Sequence, residues 1–304
     1  MNNTLTSLTV ENKKFYDRNL LERTLANLTL YEDAQKRQLP TKQGTEVSFR
    51  KYESLKVPGS SLTEGTTPQG SDLKITEVIA KVKQEGDFVM LSDMLELAGI
   101  DNNVVEATDL LGEQAALTAD TRIRDVITKG TNVIYAGGKE SRSAITEGDV
   151  LTAELVKKAA KTLKNANIKK FEDGYYHAVI DPDQEYDLKK DPEWIDVAKY
   201  AATTRLLDGE IGKLDGVRFK TSTNVEIVSD TAKVHLGLIY GKDTYGCVNL
   251  EKGAGKPEVI VKNAGSAGTA DPLNQRSTVG WKACYTACII NQEGIVRVET
   301  AASK

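Results

Sequence analysis

The sequence predicts an α+β chain with an N-terminal arm, an extended β-ribbon, one long helix, a mixed α/β block and a returning β segment. Two alternating segments flank a stretch rich in Gly, Pro, Ser and Thr at residues 57–71, a pattern typical of a ribbon with a loose tip. Apolar residues then recur at three- and four-residue steps over 102–129, which predicts a helix. Short strands separated by turn residues dominate the last third of the chain.

The composition excludes several classes of protein. Of the 304 residues, 39% are hydrophobic and 28% are charged, which is not the composition of a disordered chain. No window approaches the ~18 consecutive apolar residues of a bilayer span, so we expect no membrane partner. The net charge is -4 and basic residues are dispersed, which argues against sequence-specific DNA binding. Residues 1–10 lack the pattern of a signal peptide, so we expect residence in a cytosol.

Residues 1–40 are polar and are predicted to form an arm, with a short helix at 24–36. Residues 45–52 and 73–91 are predicted to be the strands of the ribbon, and the second strand carries charges on both faces. A ribbon that is polar on both faces has no core of its own, so neighbouring subunits are expected to hold it. The residues expected at these intersubunit contacts are Lys74, Glu77, Lys81, Lys83, Glu85, Leu62 and Glu64.

The long helix is predicted to begin after Asp101, which can act as an N-cap, and to end at Lys129-Gly130. Its apolar stripe is narrow and rich in alanine, which favours close packing on a sheet. The stripe consists of Val104, Ala107, Leu111, Ala115, Ala119, Ile123 and Val126.

A mixed α/β block is predicted after a loop at 132–148. Asp181-Pro182 begins a helix there, with Asp as N-cap and Pro at the first helical position, and Asp191-Pro192 repeats this arrangement. Another helix is expected at Ala153–Asn165. Strands are expected at 175–180, 217–221, 225–228, 234–240, 259–262, 279–290 and 295–300.

A group of acidic residues and two histidines are the candidate metal ligands or catalytic residues of the mixed block. Asp181, Asp183 and Glu185 resemble a metal site, but the amides and dipole of a helix start account for acidic residues there. His177 and His235 lie in predicted strands without a recognisable nucleophile motif. We therefore predict no catalytic and no metal-binding residues.

Two further motifs are expected to carry no chemistry. Gly253-Ala-Gly-Lys256 resembles part of a phosphate-binding loop, but Pro257 stands where a hydroxyl residue is required, so no cofactor is predicted. Cys247, Cys284 and Cys288 are odd in number and include no CxxC pair. They are predicted to be buried, reduced thiols that form no covalent links.

Short motifs occur in a characteristic order over roughly residues 40–300. They are Leu62-Thr-Glu-Gly65, Gly86-Asp-Phe-Val89, Leu110-Leu-Gly-Glu-Gln114, Gly130-Thr-Asn-Val133, Tyr135-Ala-Gly-Gly138, Asp191-Pro-Glu-Trp194, Gly209-Glu-Ile-Gly212, Gly216-Val-Arg-Phe219, Asp271-Pro-Leu-Asn-Gln-Arg276 and Val279-Gly-Trp-Lys282. In these motifs the chain resembles the major capsid proteins of tailed bacteriophages with the Hong Kong 97-type fold. The resemblance is closest to the branch typified by the coat protein of coliphage N-four.

The resemblance implies a division of the chain. The expected parts are an N-terminal arm (1–40), an extended β-ribbon loop (41–90), a peripheral domain with a long spine helix (91–139), a mixed α/β axial domain (140–255) and a returning β segment of the peripheral domain (256–304).

The resemblance also implies a function without enzymatic activity. The chain is expected to self-assemble as pentamers and hexamers into the icosahedral shell around the double-stranded DNA of a tailed phage. The implied partners are further copies of the chain, a portal protein, scaffolding or decoration proteins, and packaged DNA in non-specific contact. The implied location is the virion, after assembly in the host bacterial cytoplasm.

Three alternatives remain open at the level of sequence. The first is the shell of a bacterial nanocompartment that encloses enzymes, which differs from a phage shell in its contents. The second is a soluble enzyme built on the mixed block, for which an active monomer is the expected sign. The third is a tail protein or adhesin, which should be more uniformly β.

Overall fold

The computed structural model describes residues 2–3, 30–40, 44–53, 55, 57, 61, 64–67, 70–98, 103–194, 210–230, 232–250, 258–266 and 271–303. The α-helices in these ranges are α1 (Leu30–Asp33), α2 (Asp93–Ala98), α3 (Asn103–Ile127), α4 (Ala153–Asn165) and α5 (Pro182–Lys190). The strands are β1 (Asn2–Asn3), β2 (Gln35–Leu39), β3 (Glu46–Tyr52), β4 (Ile75–Lys81), β5 (Lys83–Ser92), β6 (Val133–Tyr135), β7 (Tyr176–Ile180), β8 (Glu210–Leu214), β9 (Val217–Thr221), β10 (Ile227–Ser229), β11 (Lys233–Tyr240), β12 (Tyr245–Leu250), β13 (Glu258–Lys262), β14 (Arg276–Ile289) and β15 (Ile295–Thr300). The predicted N-cap Asp101 and the 253–256 motif lie outside the described residues.

The described strands form two larger sheets and a ribbon. A six-stranded sheet has the order β1-β5-β14-β12-β2, with β13 also paired to β14. A seven-stranded sheet has the order β6-β15-β11-β7-β9-β8, with β10 paired to β11. Strands β3 and β4 form the predicted antiparallel ribbon. Strand β12 pairs with β14 in the six-stranded sheet, although the resemblance assigns these strands to the axial and the peripheral domain, respectively. Strand β15 pairs with β11 in the seven-stranded sheet, although the resemblance assigns β15 to the peripheral and β11 to the axial domain.

The seven-stranded sheet is covered on both faces. Ala178 and Ile180 of β7 face a cluster that contains the buried side of α4. Val179, between them, faces the opposite cluster, where it packs with Leu30 of α1 and Ile127 of α3. Alternate side chains of β7 therefore pack in two separate hydrophobic clusters, one on each face of the sheet. Strand β11 is likewise buried, from its second residue to its end.

Helix α3 changes the face that it buries midway along its length. Its first half packs on the six-stranded sheet through Ala107, Leu111 and Ala115, and its second half packs in the other cluster through Ile123 and Ile127. At about 100° per residue, Ala115 and Ile127 lie on different sides of the helix. A single straight stripe is therefore the wrong description of this helix.

Two positions in the second half of the predicted stripe are displaced by one residue, whereas Ile123 is buried as predicted. Ala119 and Val126 are only partly buried, whereas Asp120 and Ile127 are buried. Asp120 accepts hydrogen bonds from the Tyr31 amide at 3.2 Å and from Asn224 at 3.0 Å. Burial raises the pKa of Asp120, although these hydrogen bonds oppose the rise. The carboxylate thus joins α3 to the N-terminal segment and to the loop before β10.

The end of the predicted arm is packed into the body. Within the predicted helix at 24–36, residues 24–29 lie outside the described residues, α1 ends at Asp33, and Gln35 already begins strand β2. Strand β2 pairs in parallel with β12, and its sequence pattern does not predict a strand. Leu30 and Leu39 are both buried. Residues 30–40 therefore contribute to both the helical and the sheet packing of the body.

Asp33 anchors this segment through a charged network. Its carboxylate lies 2.8 Å from Nδ1 of His177, accepts from the Tyr240 hydroxyl at 2.9 Å and lies 3.4 Å from Nζ of Lys220. The His177 ring is stacked on Phe171 at 3.9 Å. Burial raises the pKa of Asp33, but the hydrogen bond and charge of His177 and the charge of Lys220 outweigh it, so the net pKa lies below its ordinary value.

The predicted helix starts of the mixed block are confirmed. Asp181 accepts from the Asp183 amide at 3.1 Å and Gln184 completes a capping box at the start of α5. Asp191 accepts from the Glu193 amide at 3.0 Å, as expected of a second cap. Among the described residues, none of the helices combines the length and apolar composition that crossing a bilayer requires.

Replacement of Ala115 by Trp tests the packing of α3 on the sheet. Ala115 is 1% exposed and packs with Val279 and Trp281. We expect Ala115→Trp to destabilise the chain by about 1–3 kcal/mol or more, because a packed core has no room for the larger ring. Urea denaturation measures this effect. Glu113→Gln, off the contact face, is the control, and equal stability of the two variants would show that the assigned face is wrong.

Replacement of Asp33 by Asn tests the charged network. We expect Asp33→Asn to cost about 1.5–3 kcal/mol at neutral pH, because hydrogen bonds to a charged group are lost. Since the folded pKa of Asp33 is lowered, this stabilisation is present above its ordinary pKa of 3.8 and disappears as the pH falls through the lower folded value. Denaturation curves at several pH values should therefore converge for the two proteins in acid. A difference that is independent of pH would contradict the assignment.

Candidate assembly surface

The ribbon formed by β3 and β4 has two different faces. The register pairs Phe49 with Val78 and Val47 with Ala80, so these four side chains share one face. Phe49 is 1% exposed and Ala80 is 3% exposed. The prediction that the ribbon is polar on both faces is therefore wrong, because its inward face is apolar and buried.

The inward face fixes the base of the ribbon to the six-stranded sheet. Phe49 and Ala80 belong to a buried cluster with Leu39, Val248 and Cys288. Glycine at position 246 makes this contact possible, because a Cβ there would lie 2.9 Å from the Phe49 ring. The guanidinium of Arg37 lies over the ring, 4.7 Å from its centroid. The base of the ribbon is thus part of the body.

The outward face combines apolar side chains with charges. Ile79 is 61% exposed, and Tyr52 and Ile75, which are opposite each other in the register, are 60% and 52% exposed. Two polar pairs lie on the same face. Lys81 is 3.9 Å from Glu46, and Ser48 donates to Glu77. Tyr52 and Ile75 are neighbours across the two strands, and exposed apolar groups on one face are typical of surfaces that contact another protein.

The structure divides the predicted contact residues between two elements. Lys74, Glu77 and Lys81 lie on or beside β4 and are exposed. Lys83 and Glu85 instead belong to β5 in the six-stranded sheet, so the predicted strand at 73–91 is in fact two strands in different sheets.

Three other predicted contact residues, Glu85, Glu64 and Leu62, lie in different surroundings from one another. Glu85 is partly buried, lies 2.8 Å from Nε of Arg122 and accepts from the Tyr285 hydroxyl at 2.8 Å. Glu64 is exposed near the tip of the ribbon, and Leu62 lies outside the described residues. Their roles between subunits stay predictions.

Tyr52, Ile75 and Ile79 were not among the predicted contact residues. Ile75 and Ile79 lie on the same face as Glu77 because they are two residues away from it on a strand. This period was visible in the sequence, but the face that turns away from the body depends on the pairing of β4 with β3.

A groove lined by both apolar and charged residues lies where β5, β14 and β13 meet. This open groove has a volume of about 530 Å³ and is lined by Gly86, Phe88, Ile260 and Trp281, among others. Phe88 is 59% exposed and stands opposite Gly280 in the register. A Cβ at Gly280 would lie 2.8 Å from that of Phe88, so glycine keeps the groove open.

Cys247 and Cys288 are buried as predicted, whereas the prediction of burial is wrong for Cys284, which is only partly buried. Cys247, Cys284 and Cys288 are unpaired. Burial raises the pKa of Cys247 to about 12 and that of Cys288 to about 11. Both thiols are therefore protonated and unreactive at neutral pH.

A family model described as phage capsid protein matches residues 75–298. This match covers most of the chain and includes β4, β5, α3 and most strands of the two sheets, but it begins after β1, β2 and β3. No curated protein matches the sequence.

Solved phage capsids share the fold over nearly the whole chain. The capsid of Ralstonia phage GP4 is 15% identical with a TM-score of 0.73, covering 97% of this chain and 96% of that chain. The capsid of cyanophage Pam1 is 14% identical with a TM-score of 0.71, covering 97% of both chains. The head structure of Helicobacter pylori bacteriophage KHP40 is 15% identical with a TM-score of 0.70, covering 99% of this chain and 97% of that chain.

These similarities confirm the predicted Hong Kong 97-type α+β fold, and the finer placement in the branch of coliphage N-four stays a prediction. The match of the family model to residues 75–298 shows that the chain belongs to the phage capsid protein family.

Proposed function

We propose that this phage capsid protein self-assembles as pentamers and hexamers into the icosahedral shell that encloses the double-stranded DNA of a tailed phage. The observation that carries the proposal is the family match over residues 75–298. The exposed apolar side chains on the outward face of the ribbon support it, because apolar groups gathered on one face are typical of surfaces that contact another protein.

The partners follow from the same proposal. The shell assembles in the host bacterial cytoplasm and incorporates a portal protein, with scaffolding or decoration proteins as further partners. Packaged DNA contacts the shell without sequence preference. The net charge of -4 supports this weak contact, because tight binding to phosphates needs a local excess of basic residues.

The ribbon acts as a clasp between subunits in this proposal. Its inward face is already used within the subunit, through Phe49 and Ala80. Its outward face offers apolar area from Ile75 and Ile79 and charges from Glu77 and Lys81. Single exposed ion pairs contribute under ~1 kcal/mol, so the apolar groups supply most of the contact energy and the charges fix its position.

The division into an arm, an extended loop, and peripheral and axial domains is part of the proposal. The six-stranded sheet with α3 supports a peripheral domain, and the seven-stranded sheet with α4 supports an axial domain. Strands β12 and β15 would then link the two domains, because each crosses the boundary expected from the sequence.

Cryo-electron microscopy of particles purified from phage lysate tests the proposed assembly. We expect closed shells with five-fold and six-fold clusters of this chain around DNA. Functional particles filled with protein in place of DNA would favour a nanocompartment. A homogeneous monomer or dimer as the mature state would contradict any shell.

Substitutions on the two faces of β4 test the clasp. We expect the double variant Ile75→Ser and Ile79→Ser to leave the thermal stability of the unassembled chain unchanged, because both side chains are exposed. It should weaken assembly by about 1.5–3 kcal/mol for each isoleucine that a neighbour buries. Sedimentation velocity measures the assembled fraction, and circular dichroism measures the stability of the subunit.

The matched control lies on the same strand. Val78 faces inward against the body, so Val78→Ser should lower the melting temperature of the unassembled subunit. If the double variant forms shells in normal yield and of normal stability, the outward face of the ribbon does not act as a contact between subunits.

A further inference from the structure

His235 is a buried histidine whose Nδ1 has no hydrogen-bond partner. The side chain is 4% exposed, and Nδ1 lies 3.2 Å from Oδ2 of Asp181. The contact is close, but its geometry is not that of a hydrogen bond, so Nδ1 remains unsatisfied. Burial of an unsatisfied polar atom is costly, which indicates that another group completes this site.

His235 lies beside two carboxylates, those of Asp181 and Asp183. Asp181, Asp183 and His235 each have one possible ligand atom within 4.8 Å of a ligand atom of the other two residues. Asp181 is buried and Asp183 is exposed, so the cluster opens to solvent on one side. The start of α5 explains why Asp181 is present, since it caps the helix through the Asp183 amide. Helix capping does not explain the histidine, which comes from β11.

We propose that Asp181, Asp183 and His235 bind a divalent transition-metal ion of the Zn²⁺ class. Bonds of about 2.0–2.2 Å to nitrogen and oxygen place neighbouring donors roughly 3 Å apart, which agrees with the 3.2 Å between Nδ1 and Oδ2. One imidazole and two carboxylates suit Zn²⁺ better than Mg²⁺ or Ca²⁺, which prefer oxygen ligands alone. Water completes the coordination from the exposed side.

The ion would connect elements that are distant in the sequence. Asp181 follows β7 and Asp183 begins α5, whereas His235 lies on β11 where that strand pairs with β10 and β15. A ligand set assembled only in the folded chain stabilises that state over the unfolded one. The site is independent of the proposed assembly, because it is complete within one subunit.

The other histidine of the chain does not compete for the ion. His177 lies 2.8 Å from Asp33 through Nδ1 and 3.1 Å from Asp173 through Nε2, so both ring nitrogens already have carboxylate partners. The sequence contains two histidines in all, and His235 is therefore the single imidazole available for a metal.

Metal titration of the full-length unassembled chain, after treatment with a chelator, tests the site. We expect one Zn²⁺ per chain by calorimetry. We also expect the melting temperature to rise by about 5 °C at roughly 100-fold excess over Kd, with no rise from Mg²⁺ at the same concentration. Co²⁺ in the site should give a visible absorption band that His235→Gln abolishes.

Asp183→Asn is the principal variant because Asp183 is exposed and its replacement leaves the core intact. It should weaken Zn²⁺ binding by about 10-fold or more, with no change of melting temperature in chelator. Glu154→Gln removes the same charge from the first turn of α4 and should leave Zn²⁺ affinity unchanged. Failure of Zn²⁺ to bind, or equal affinity of the Asp183 variant and the parent chain, would overturn the proposal even if His235→Gln does not fold.

Discussion

Strand β14 is the constraint on which the rest of the structure depends. It pairs with β5 from Arg276 to Tyr285, and its other edge is shared by β13 and β12. Val279 and Trp281, on one face of β14, pack against α3. Cys288, near the end of the strand, packs in the cluster beneath the ribbon. Because β5 and β14 are far apart in sequence, the six-stranded sheet forms only when the last part of the chain is available.

Two carboxylates fix the N-terminal segment to the body. Asp33 and Asp120 tie the N-terminal segment to β7 and α3 through His177, Tyr31 and neighbouring donors. Burial of these carboxylates would be costly without such partners. They make the position of α1 specific, whereas hydrophobic contact alone would allow it to slide.

The parts of the fold that could be predicted from the sequence are those with local signals. The helical character of α3 and the Asp-Pro start of α5 depend only on nearby residues, and both are confirmed. Strand β2 could not be predicted because Gln35-Lys-Arg-Gln is polar without alternation, and it is a strand only because β12 offers an edge. The change of packing face along α3 likewise depends on where the two sheets lie.

The candidate surfaces also combine features that are visible in the sequence with features that depend on tertiary packing. Charges on β4 were visible in the sequence, but the outward position of Ile79 depends on the register with Ser48 of β3. The proximity of His235 to Asp181 depends on the packing of α5 beside β11, to which Gln184 also contributes by donating to the His235 carbonyl oxygen. Local spacing contains no information about either juxtaposition.

The attachment of Phe49 beneath the ribbon has a consequence for the thermodynamics of association. Because the ring packs against Gly246 and under Arg37, the direction in which the ribbon leaves the body is set in the isolated subunit. A partner that binds the outward face therefore meets a surface that is already oriented, and less conformational entropy is lost on contact. Preorganisation of this kind lets weak individual contacts combine into a stable boundary, while each contact remains weak enough to be corrected when it forms in the wrong place.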